Sequence, residues 1–203
     1  MIAFFLTKAE LGIYVIGVNI VERLWTFSEP ISSVLFSKLV NLKDEEKRNF
    51  FTIHTLQATF VISLVGAVVM YLLGDLFIRL FFGDNYAESS LFLYVLIPGA
   101  ILQSMGQVMK WIISARGYPG ANAVSLSFCL LLNVVLNLIL IPRIGVMGAA
   151  ISSTIAYSAY FLFLSHSLKS KFHIKRREYI IFTFWEVKTL IDSFILKKKT
   201  INT

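Results

Sequence analysis

Long apolar runs, each broken by a short polar or Pro/Gly interruption, set the pattern of this chain. The clearest phrase is Asn133 to Tyr157, apolar on both sides of Pro142-Arg143-Ile144-Gly145. A hairpin with two such arms suits lipid, where each arm satisfies its own backbone by being helical. Its second arm repeats small residues at a spacing of four (Gly145/Ala149, Gly148/Ser152, Ser152/Ala156), which lets a neighbouring helix approach closely. Asn133 and Asn137 lie one turn apart on the first arm. Read in order, the pattern predicts an apolar stub at Ile2–Leu6 and five spans: about Leu11–Leu39, Phe50–Leu73, Leu91–Ala115, Ala121–Ile141 and Val146–Leu168. Polar loops follow at Asn41–Arg48, at Gly74–Ser90 with a short interfacial helix in DLFIRLFFGDNY, and at Arg116–Gly120. The expected fold is all-α: a polytopic transmembrane bundle of about five spans, with the N-terminal stub and an interfacial helix over Glu178–Leu196. The expected division is a membrane unit over 1–168 and a basic tail with an amphipathic helix over 169–203.

Composition agrees. The chain has 203 residues, 57% hydrophobic and 15% charged, where a soluble domain carries about 25% charged. The net charge of +7 is concentrated beyond the last span, from Lys169 to Lys199, which is a cytoplasmic-flank signal and not a nucleic-acid footprint. Alternate loops carry Lys38, Lys43, Lys47 and Arg48, then Lys110 and Arg116, then the Lys169–Arg177 cluster; the opposite side carries Lys8, Arg79 and Arg143. The expected orientation is an outside N-terminus and a cytoplasmic C-terminus. Cys129, the single cysteine, sits in an apolar run and offers neither a disulfide framework nor a cysteine metal site.

Two spans carry chemistry. The first holds Asn19, Glu22, Arg23, Glu29 and Pro30, with Asn19, Glu22 and Glu29 on one helix face and Trp25 beside them. A charge at mid-bilayer costs about 2.5–3.5 kcal/mol, so this face must meet a wet cavity or partner helices. Pro30 should kink the span or start its inner half. The third span has Pro98-Gly99 as a break near one end, then Gln103, Gln107, Lys110 and Ser114 on one helical face. That stripe lines a cavity or a buried helix interface. Arg116 follows at the membrane surface. Both readings stay open: Glu22, Arg23, Glu29, Gln103, Gln107, Lys110 and Arg116 line a path for a substrate, or they hold helices together. Asn133, Asn137, Gly145, Gly148 and Ser152 are the packing candidates. His54 reads as an interfacial polar residue, and the loops show no HExxH or nucleophile–base pair, so an enzyme is not expected.

The phrases AELGIYVIGVNIVERLW (Ala9 to Trp25), PGAILQSMGQVMKWIISARGYP (Pro98 to Pro119) and NVVLNLILIPRIGVMGAAISSTIAYS (Asn133 to Ser158) resemble, in order and spacing, the C-terminal half of bacterial polysaccharide and O-antigen flippases. These belong to the multidrug/oligosaccharidyl-lipid/polysaccharide exporter superfamily. The resemblance covers about Ile2 to Ser167. It implies one lobe of a two-lobed, V-shaped transporter in the bacterial inner membrane. Such a transporter moves undecaprenyl-diphosphate-linked oligosaccharide between leaflets for O-antigen, lipopolysaccharide or capsule synthesis. It implies no cofactor beyond a coupling cation, H+ or Na+. The expected partners are the lipid bilayer, that lipid-linked oligosaccharide and a missing N-terminal lobe, with no nucleic acid. With twelve to fourteen helices in such proteins, the expectation is a truncated or split reading frame or an isolated domain. The alternatives are an inactive helical membrane fragment and a multidrug-type exporter lobe.

Overall fold

The computed structural model describes residues 5–26 and 28–180. Among these, the regular elements are all helical: α1 Lys8–Thr26, α2 Ser28–Asn41, α3 Glu45–Phe82, α4 Ser89–Ala115, α5 Pro119–Ile144, α6 Val146–Phe172 and α7 Arg176–Ile180, with a 3-10 turn at Asp84–Tyr86. Four of them, α3 to α6, are long and apolar enough to cross a membrane. The fold is the expected all-α polytopic bundle.

The described residues of the first expected span are helical, over Lys8–Thr26 and Ser28–Asn41. The pair α1–α2 lies along α4. Near one end Ser89 Oγ donates to the Ile13 carbonyl (2.7 Å), and a Cβ on Gly17 would stand 2.9 Å from the Ser89 carbonyl oxygen. Near the other end Leu35 and Leu39 join the core cluster of Met109 and Ile112, and Phe36 meets Trp111 edge to face at 5.6 Å.

The interfacial helix expected in Gly74–Ser90 is instead the end of α3. Asp44 caps the start of that helix by accepting from the Glu46 and Lys47 amides. The helix then runs unbroken for 38 residues, about 57 Å at 1.5 Å per residue. Asp75 and Arg79, one turn apart, pair at 2.8 Å and so satisfy each other on the helix surface. The helix stops at Gly83, whose φ of 89° favours glycine.

The Pro98-Gly99 break is absent too, and α4 continues through it. Proline is tolerated in a membrane helix when a neighbour supplies polar contacts; here Thr154 of α6 donates to the Val95 carbonyl at 2.8 Å. The Asn133–Tyr157 hairpin forms as expected, although Pro142 and Arg143 stay helical and only Gly145, at φ 59°, turns the chain.

The hub is α4, which packs against α1, α2, α3 and α6; α5 leans mainly on α6. Close approach comes from glycine. A Cβ on Gly99 would lie 2.8 Å from the Thr154 Cα, and one on Gly148 would lie 2.6 Å from the Leu140 carbonyl. Ser152 is buried and bonds back to Gly148. Gly145 has open space where a Cβ would be, so it serves the turn and not packing. After α6 the chain reverses at His173 (φ 58°). Tyr179 is then fully buried, and Gln57 of α3 donates to the Glu178 carbonyl at 3.0 Å. Beyond residue 180 the expected interfacial helix lies outside the described residues.

Candidate functional site

The polar stripe of α4 is half-buried along its length. Its lower part is paired internally: Lys110 Nζ donates to Gln107 Oε1 at 2.6 Å and lies 5.3 Å from the Trp111 ring centre. Its upper part, Gln103, opens into a hollow of about 210 Å³ between α4, α5 and α6. Asn133 and Cys129 of α5 and Ser153, Tyr157 and Tyr160 of α6 share that wall. The Gln103 Oε1 is buried and accepts no hydrogen bond from the described residues. Such an atom costs stability unless something enters to pair with it.

The rest of the wall is organised by hydrogen bonds within and between helices. Asn137 donates to Asn133 Oδ1 (2.9 Å). Tyr160 donates to Asn122 Oδ1 (2.8 Å), and the Tyr14 hydroxyl of α1 meets Ser153 Oγ at 3.2 Å. The Trp25 and Tyr157 rings contact at 5.4 Å, edge to face. Half-buried Glu22 lies within electrostatic reach of the Tyr14 and Tyr157 hydroxyls. The structure therefore brings Glu22, Gln103 and Asn133 to one region, with Gln107 and Lys110 continuing along α4.

Other candidates lie elsewhere. Arg23 and Asn19 line a separate, mainly apolar hollow of about 500 Å³ against α3. Glu29 is exposed on α2. Arg116 caps α4 with its side chain 1% exposed. It donates to Thr52 Oγ1 (3.2 Å), lies 3.7 Å from Glu45 and covers the Phe172 ring at 4.4 Å. Burial pushes this guanidinium below its ordinary range, Glu45 opposes that, and Arg48 adds to it. These contacts join α3, α4 and α6.

Sequence reasoning missed Ser153, Tyr157 and Tyr160, which sit at offsets 0, 4 and 7 on α6. The same periodicity that marked the α4 stripe marks them; tyrosine and serine read as ordinary membrane-helix residues. Among the described residues no three His, Cys, Asp or Glu side chains come together as metal ligands. What the hollow presents is amide, hydroxyl and phenol groups beside aromatic faces. Those are neutral donors and acceptors suited to a hydroxyl-rich ligand.

A family profile described as polysaccharide biosynthesis protein matches residues 1–91. A probable low-salt glycan biosynthesis flippase of Haloferax volcanii is 24% identical over 86% of this chain and 38% of its own length. A capsular polysaccharide biosynthesis protein of Staphylococcus aureus is 28% identical over 73% of this chain and 38% of its own. A candidate O-antigen transporter of Shigella flexneri is 27% identical over 72% and 35%. No solved structure matches. The chain is thus similar to proteins named for polysaccharide biosynthesis and export, and it spans a little over a third of the length of those it matches.

Proposed function

We propose that the chain is one lobe of a flippase for lipid-linked oligosaccharide, non-enzymatic, and that its α4–α5–α6 hollow lies on the translocation route. The observation that carries this is the polar wall of Gln103, Asn133, Ser153 and Tyr157 within an otherwise apolar bundle, in a chain related to proteins named flippase and transporter. A sugar headgroup crossing a bilayer needs hydrogen-bonding groups in place of water, while its tail stays in lipid. Undecaprenyl diphosphate is the carrier we favour, with Lys110 as the cation for its phosphates and Glu22 as the site for a coupling cation. Arg23, in the separate hollow against α3, and Glu29, exposed on α2, are weaker members of the path. Arg116 we assign to holding helices.

A second lobe completes the transporter in this reading; the match to little more than a third of each relative supports it. The membrane is the bacterial inner membrane. The end of the bundle bearing Lys43, Lys47, Arg48 and Lys169 faces the cytoplasm, and the end with Lys8, Arg79 and Arg143 faces out.

Co-expression with the remaining part of a relative, in cells lacking their own flippase, tests the proposal. Surface polysaccharide should return, and Gln103→Leu should lower it about tenfold at matched membrane abundance, as expected for one lost hydrogen bond in a dry site. Unchanged export in Gln103→Leu and Glu22→Gln together would remove the hollow from the route.

A further inference from the structure

At the opposite end of α6 from its glycine turn lies a third hollow, of about 380 Å³, lined by Ser165, His166, Lys169, Lys175 and Arg176. It is built by the chain reversal. The His173 amide closes α6 on the Lys169 carbonyl, with His173 in the left-handed region. Lys175 and Arg176 thereby return across the last turns of the helix. Their position is pinned from beneath. Arg176 Nε donates to Ser165 Oγ at 3.0 Å, Ser165 also bonds the buried Tyr179 hydroxyl, and Gln57 holds the Glu178 carbonyl. Three cationic side chains thus converge on one hollow, and among the described residues no carboxylate pairs with any of them.

Depth says what reaches it. The 27 residues of α6 extend about 40 Å, against about 30 Å of hydrocarbon. With the Gly145 turn at one surface, the turns carrying Ser165 to Lys169 stand at the level of the lipid headgroups on the other. Ordinary flanking lysines snorkel singly towards water; these are gathered by a turn and tied to the core. Arg176 brings its guanidinium charge to the hollow, and the two lysines add point charges. We propose that this hollow is a binding site for a phosphate group, supplied by a lipid headgroup or by a soluble phosphate. The inference stands on this geometry and does not depend on the reading of the α4–α5–α6 hollow.

The test titrates the purified full chain in detergent with phosphatidic acid, phosphatidylcholine and inorganic pyrophosphate, following bound species by native mass spectrometry. Phosphatidic acid should bind more tightly than phosphatidylcholine. Lys169→Gln and Lys175→Gln should each weaken it about fivefold, the value of one basic residue near an anionic surface. Lys171→Gln is the control, because Lys171 lies outside the hollow, over the Tyr118 ring. Elution volume and melting temperature confirm that each variant is folded. Lysine-dependent binding of phosphatidic acid alone identifies a lipid site. Lysine-dependent binding of pyrophosphate as well identifies a site open to either source. Equal weakening by Lys171→Gln and Lys175→Gln, or no preference for either phosphate probe over phosphatidylcholine, overturns the proposal.

Discussion

Single residues decide how closely these helices approach. Gly99 sits where any Cβ would meet the Thr154 backbone at 2.8 Å, and backbone cannot step aside as a side-chain end can. Gly99→Leu should therefore cost about 1–3 kcal/mol, the usual range for overpacking, read as a lower thermal midpoint in detergent. Gly120→Ala, with nothing within 4 Å of the new Cβ, should leave the midpoint unchanged or slightly raised. Arg116 makes the same point with polar contacts. Lysine keeps the charge but cannot reproduce the guanidinium geometry on both Thr52 and the Phe172 ring. Arg116→Lys should lower stability by about 1.5–3 kcal/mol, the range for a hydrogen bond to a charged group, while export per folded molecule is retained. Loss of export at full stability would return Arg116 to the substrate path.

At the scale of elements, the apolar period located α4, α5 and α6 to within a few residues at most ends, because long runs bounded by glycine and basic residues leave few alternatives. It misjudged interruptions. Pro98 and Pro142 remain inside helices, where the sequence predicted breaks, since a proline's effect depends on which neighbour approaches its turn. The helix α3 outlasts its expected end because Asp75 and Arg79 satisfy each other. Helix ends also carry the orientation. Asn85 follows α3 and Lys171 lies in the last turn of α6, at opposite ends of the bundle. In intact cells an impermeant thiol reagent should label Asn85→Cys and spare Lys171→Cys. Labelling of Lys171→Cys alone would invert the bundle.

For the whole molecule, two regions of polar chemistry are set on one apolar frame: the hollow between α4, α5 and α6, and the basic end beside α7. Half of the first was legible in the α4 stripe. The α6 half was not, because hydroxyl and phenol groups at helical spacing read equally as packing until a neighbouring helix is placed. The central claim is that the α4–α5–α6 hollow is wet in the membrane. Thiol labelling measures this directly, in a Cys129→Ala background that removes the native thiol lining the hollow. Gln103→Cys, Asn133→Cys and the exposed apolar position Leu131→Cys are treated in membranes with a small, charged, water-soluble maleimide. The account predicts that Gln103→Cys and Asn133→Cys react from at least one side while Leu131→Cys stays inert. If all three are equally unreactive in folded protein, the hollow is dry, and its polar groups only fasten helices to one another.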